Sequence, residues 1–280
     1  MIRLHSAILL LLVVAKSFAA EGVALTETGD QIPYMTYGSG GPALVLIHGW
    51  TGSRTSWEPH IPRLSKNNQV VTLDLASFGE SLYKRNDWSM RAFAIDVDAV
   101  LSDLDTDEAI LVGFSMGGTI ALELASLDRQ YVKGVVLVDV HKNPEWLPDD
   151  ADIESAVDYE RRMYRNEESI TAGFSDGASQ TLVQRYLTRT PEIAPDVWWE
   201  SLRQFFLWSR EDLSDRVALV DFPIVAINSS RGSTNVDAWN RIAPGFRVHV
   251  VDGVVHLGVI WEKIEEFDQA LLKYVSQFEQ

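Results

Sequence analysis

The sequence predicts an α/β fold, a mostly parallel sheet flanked by helices with one helical insertion. Two patterns predict it. First, short and almost wholly apolar runs ("ALVLI", "QVVTLDL", "AILVGF", "GVVLVDV", "PIVAINS") alternate with stretches whose apolar residues recur at helical spacing. Such runs suit strands buried on both faces, as in a parallel sheet covered by helices. Second, residues 142–220 are charged, aromatic and helical in pattern, with no convincing strand, and are too long for an ordinary loop. The sheet domain is therefore expected from 20–141 and 221–280, with 142–220 inserted as a cap.

Residues 1–19 stand apart. Arg3 precedes the nine-residue apolar run "AILLLLVVA", and Ser17 and Ala19 occupy the −3 and −1 positions of a small-residue cleavage site. This is the layout of a secretory signal peptide, and the run is far short of the ~20 residues a spanning helix needs. The expectation is a secreted or periplasmic protein, cleaved near Ala19. Lys16 is out of keeping with that pattern.

The elements follow in order. Residues 23–41 suit two alternating strands around a Thr28-Gly29-Asp30 turn. "ALVLIHGW" is a buried strand ending in His-Gly. Residues 51–65 are helix-like but interrupted by Pro59 and Pro62. Met90, Phe93, Ala94, Val97, Val100, Leu101 and Leu104 lie on one face of a helix. A second helix is expected from 116 to about 127. A last one is expected near 261–278, where Trp261, Ile264, Phe267, Leu271, Tyr274, Val275 and Phe278 repeat.

Composition narrows the partners. The 280 residues are 46% hydrophobic, enough for one large core, and carry a net charge of −16. Loss of residues 1–19 would make this −18. Such a surface repels phosphate backbones and anionic lipid heads, so no nucleic-acid partner is expected. No other segment is apolar enough to span a membrane. No cysteine is present, so no disulfide and no lipid-attached N-terminal cysteine can form. No histidine pair has metal-ligand spacing, and no G-x-G-x-x-G follows a strand, so neither a metal nor a dinucleotide cofactor is expected. The Asn228-Ser229-Ser230 sequon falls at a strand end and is read as incidental. Oligomeric state is left open.

Residues 109–118, "AILVGFSMGG", carry the chemistry. An apolar strand runs into Gly113-Phe114-Ser115-Met116-Gly117, a G-x-S-x-G pattern, and a helix begins at once. A serine on so tight a strand-to-helix turn adopts strained backbone angles, and flanking glycines relieve the crowding. The turn lifts the hydroxyl above the carboxyl ends of the strands, where α/β sheets place ligands. The helix N-terminus at Met116 aims free N–H groups at the same spot.

A serine hydroxyl needs a base. Of six histidines, His5 lies in the leader, His48 belongs to the His-Gly turn, His60 lies in the helix-like segment and His249 inside a strand. His141 follows a strand end and is a weak candidate. His256, in "VVDGVVHLG", comes just after the last strand in a glycine-loosened loop, where a base would overhang the sheet edge.

"LIHGW", "DLASFGES", "GFSMGG" and "GVVHLG" together resemble the α/β-hydrolase superfamily, most strongly its capped esterase, lactonase and haloalkane-dehalogenase-like branch. The resemblance runs from about residue 23 to the C-terminus and is weakest in the cap. It implies that the amides of Trp50 and Met116 form an oxyanion hole. One departure is Ser77, where the family's D-x-x-G-x-G-x-S pattern has its first glycine.

The group that orients the base is the open member. Most relatives place it after the strand "PIVAIN", but Arg231 and Gly232 stand there. Asp237 arrives about five residues later, in what suits the first turn of a helix, where an acid is favourable on dipole grounds alone. Asp139, at the end of "GVVLVDV", matches the haloalkane-dehalogenase-like arrangement and is the first choice, with Asp237 the runner-up. The implied activity is hydrolysis of a small-molecule carboxylic ester through an acyl-enzyme on Ser115. The alternatives are lactone opening, amide or peptide cleavage and perhydrolysis on the same triad, or an idle hydrolase fold used for binding. Epoxide opening and dehalogenation are disfavoured, because relatives with that chemistry have an aspartate where this chain has Ser115.

Overall fold

The computed structural model describes residues 19–278 apart from residue 165. The expected signal peptide, save Ala19, lies outside the described residues. Eight strands form one sheet: β1 (Ala20–Leu25), β2 (Gln31–Tyr37), β3 (Ala43–Ile47), β4 (Val70–Leu73), β5 (Ala109–Phe114), β6 (Val132–Val138), β7 (Ile224–Ser229) and β8 (Arg247–Val251). Their order is β1-β2-β4-β3-β5-β6-β7-β8. β1 and β2 pair antiparallel, as do β2 and β4; from β4 to β8 every pair is parallel. The α/β fold read from the sequence is therefore the fold observed.

The apolar runs behave as expected. Every residue of β3, β4, β5 and β7 is buried. Side chains alternate across the sheet. Val45, Ile47, Leu111 and Leu137 pack into one layer, and Leu44, Leu46, Ile110 and Val136 into the other. A 3₁₀ turn (Arg54–Trp57) and α1 (Ile61–Leu64) flank Pro59, so the proline-interrupted segment forms only short helical pieces. α2 (Met90–Asp103) starts where Ser89 accepts the Ala92 N–H at 3.2 Å. It shares the first layer with α3 (Met116–Ala125).

Five helices occupy the long insertion: α4 (Asp150–Arg162), α5 (Glu167–Thr171), α6 (Gln180–Leu187), α7 (Pro195–Glu211) and α8 (Leu213–Val217). α4 begins in a reciprocal cap between Asp149 and Asp152, and α7 begins at Pro195, whose missing N–H costs nothing in a first turn. α9 (Val236–Ile242) follows β7. The expected last helix is split. α10 (Gly258–Trp261) ends before α11 (Ile264–Phe278), and Glu262 in the break accepts the Ser175 N–H at 2.9 Å. Phe267 and Leu271 of α11 fill the second layer. No helix among the described residues is long and apolar enough to cross a membrane.

Candidate active site

Ser115 sits between β5 and α3 with φ 52° and ψ −123°. This left-handed conformation is costly for a residue with a Cβ and marks a site held by its surroundings. The glycines explain how the turn is possible. A Cβ on Gly113 would lie 2.2 Å from the Gly117 carbonyl oxygen, and one on Gly117 would lie 2.5 Å from that of Ile47. The helix thus leaves the strand by passing directly against β3. The carboxyl ends of β5, β6, β7 and β8 lie side by side in the sheet, so Ser115 after β5, Asp139 after β6 and His256 after β8 leave from one rim.

Asp139 follows β6 and also has a left-handed φ, of 51°. Its N–H donates to the Ile227 carbonyl and to Asn228 Oδ1, both at 3.1 Å. Its Oδ1 accepts the Ser229 N–H at 2.6 Å and meets Lys142 Nζ at 2.9 Å. Its Oδ2 bonds His256 Nδ1 at 2.8 Å. Burial would raise this carboxyl, but the His256 hydrogen bond and the His256 and Lys142 charges outweigh it and hold the group at about 2. The carboxylate is therefore ionised under ordinary conditions. It fixes the imidazole with Nε2 on the far side of the ring.

The ring of His256 stacks on Phe114, centroids 4.7 Å apart. Ser115 and His256 line one cavity of about 200 Å³. No direct hydrogen bond joins them among the described contacts. Bonds of this kind are often long before substrate binds. Trp50, which also lines the cavity, donates Nε1–H to the Trp198 carbonyl at 3.0 Å and so ties the core to α7. The main-chain N–H groups of Trp50 and Met116 donate to no protein acceptor among the described turn and loop bonds. Larger open clefts exist, one of about 960 Å³ beside Phe174 and Val254, but neither Ser115 nor His256 lines it.

The structure separates the remaining candidates from this rim. Asp237 is exposed in the first turn of α9 and makes no hydrogen bond to His256, whose Nδ1 already faces Asp139. Asp237 therefore lies apart from the His256–Asp139 pair, because the chain after β7 turns into α9. His48 is fully buried, accepting the Leu75 N–H at 3.2 Å. His60 is fully buried against Asp268 at 2.6 Å. His141 bonds Thr119 at 2.8 Å and packs against Phe205. His249 lies on β8 beside Glu266 of α11. Asn228, read as an incidental sequon, is buried and positions the Asp139 backbone while donating to Thr234. Ser77 keeps the glycine-like turn at φ 70° despite its side chain.

Two residues escaped the sequence reading. Lys142 binds Asp139 and also donates to the Ser229 and Arg231 carbonyls, at 3.0 and 2.6 Å. Glu160, on α4, lines the cavity with Ser115. A lysine three residues after a strand-end aspartate was a usable signal for the first. For the second, only the 153, 157, 160 spacing on α4 was available. Among the described residues no group of acidic or histidine side chains could hold a metal ion.

Residues 42–235 match the family described as alpha/beta hydrolase fold. The chain is 34% identical to a soluble epoxide hydrolase of Corynebacterium sp. (strain C12) over 112 residues, covering 40% of this chain and 39% of the relative. That match thus spans well under half of the relative's length. It is 27% identical over 202 residues to a pimeloyl-[acyl-carrier protein] methyl ester esterase of Pseudoalteromonas atlantica, covering 68% of this chain and 75% of the relative. A thermophilic esterase from Thermogutta terrifontis superposes with a TM-score of 0.78 at 19% identity, covering 93% of this chain and 100% of that one.

Proposed function

The chain belongs to the alpha/beta hydrolase fold family, and from that premise we propose that it is a serine hydrolase cleaving carboxylic esters through an acyl-enzyme on Ser115. One observation carries the reading: a strained Ser115 and an Asp139-held His256 open into the same cavity. Ser115 Oγ attacks the ester carbonyl as His256 Nε2 takes its proton. The Trp50 and Met116 amides receive the oxyanion. The tetrahedral intermediate collapses, the C–O bond breaks, and the imidazolium returns its proton to the leaving alcohol. Water, deprotonated by His256, then attacks the acyl-enzyme, and the acid leaves as Ser115 regains its proton. Asp139 stays ionised throughout and stabilises the imidazolium.

An esterase among the structural neighbours and a methyl-ester esterase among the relatives support an ester substrate. The epoxide hydrolase relative does not redirect the reading, because the nucleophile position here is a serine. Export is part of the proposal. β1 begins at Ala20, so cleavage after Ala19 would leave all eight strands whole. A panel of esters, lactones and amides, run on the purified protein and on Ser115→Ala, tests the activity. Ester turnover lost in Ser115→Ala is expected. Lactone or amide preference would move the substrate class, and no turnover with any substrate would leave a binding protein.

A further inference from the structure

The wall of the cavity opposite the sheet comes partly from α4, whose inward stripe is Ile153, Val157 and Glu160 at helical spacing. Ile153 and Val157 are buried, as that stripe requires. The third member is a carboxylic acid. Glu160 is half-buried, lines the cavity that holds Ser115 and His256, and has no ion-pair or hydrogen-bond partner among the described residues. Its neighbour Arg161 pairs with Asp158 at 3.2 Å and lies over Trp199 instead. Burial pushes the Glu160 carboxyl up. An uncompensated carboxylate on an inward face destabilises the empty protein.

The rest of the wall fits one kind of partner for it. Trp50, Phe114, Tyr186 and Trp198 line the same cavity, and no lysine or arginine does among the described residues. Aromatic faces and a lone carboxylate both attract a cation, and desolvation strengthens each attraction. The chain's net charge of −16 favours the approach of cations to such a cleft.

We propose that Glu160 is a specificity-determining residue and that the substrate is an ester bearing an ammonium group, held between the Glu160 carboxylate and the aromatic wall while its carbonyl faces Ser115. This rests on the ester-hydrolase reading for the reaction, and on the cavity alone for the cation.

The experiment uses two esters of one acid that share a shape and differ in charge, the 2-(trimethylammonio)ethyl ester and the 3,3-dimethylbutyl ester. The full chain is expected to favour the cationic ester in kcat/KM by about tenfold or more. Glu160→Gln should lower the ratio severalfold, leaving only the share the aromatic wall supplies, and Glu160→Asp, which keeps the charge, should retain more of it. Calorimetric Kd values for the same pair on Ser115→Ala read recognition without turnover. Equal Kd values there, or a ratio that Glu160→Gln leaves unchanged, would overturn the inference. Preferential binding of the cationic ester without hydrolysis of either ester would uphold the cation site and sink the ester-hydrolase reading instead.

Discussion

Asp139 is held by more contacts than any other member of the site. Its backbone is fixed to β7 through Ile227 and Asn228, and its two carboxylate oxygens divide between the Ser229–Lys142 pair and His256. Asp139→Asn keeps the shape but removes the charge that stabilises an imidazolium and fixes its tautomer. Turnover should fall by something on the order of 10⁴. The same substitution has a signature in stability. The folded carboxyl lies at about 2, below its ordinary value, so its contribution is complete above pH 4 and is lost as the pH falls toward 2. The stability gap between wild type and Asp139→Asn, measured by denaturant titration, should narrow by about 2 kcal/mol over that window. A gap that does not change with pH would contradict the assignment. Ser115 and His256 were legible at this scale because glycines and position after a strand are local signals. Asp139 was legible only as one of two, since its partner lies 117 positions away in the chain. Glu160 was illegible because a lone acid on a charged helix looks like any solvated one.

At the scale of elements, the loop bearing His256 is held from the insertion. Leu257 N–H donates to the Gly173 carbonyl at 2.7 Å, and Glu262 accepts from Ser175. A Cβ on Gly173 would lie 2.7 Å from Leu257 Cδ1. Gly173→Val should therefore push Leu257, and with it the imidazole, out of register. The expected result is a drop in kcat/KM of roughly tenfold to hundredfold, with the thermal midpoint lowered by only a few degrees. Unchanged kinetics would mean that the loop sets its own conformation. The strands were readable because two-sided burial demands unbroken apolar runs. The split between α10 and α11 was not, because the Trp261-to-Phe278 stripe continues through it, past Glu262, which accepts the Ser175 N–H from the insertion.

Across the whole molecule, the sheet domain and the inserted helices meet over buried polar contacts as well as apolar ones. Thr119 on α3 bonds His141, whose ring lies near Phe205 and Trp208 on α7. Burial lowers this imidazole to about 4. Its folded value is below the ordinary 6.5, so its contribution to stability is complete above pH 6.5 and is lost as the pH falls to 4. Between those limits the melting temperature of wild type should decline more steeply than that of His141→Gln. Parallel curves would place the acid-sensitive contact elsewhere. The layered α/β architecture was readable from pattern alone, since a parallel sheet with helices on both faces leaves few alternatives. How the insertion docks depends on individual pairs such as Trp50 with Trp198, which no periodicity reveals.

The proposed reaction requires that Ser115 alone becomes nucleophilic. Its most direct test is peptide mapping by mass spectrometry after exposure to a fluorophosphonate. One adduct is predicted, on the peptide carrying Ser115, absent in Ser115→Ala and formed far more slowly in His256→Ala. Labelling at another residue, or none while ester turnover persists, would rule out Ser115 as the nucleophile.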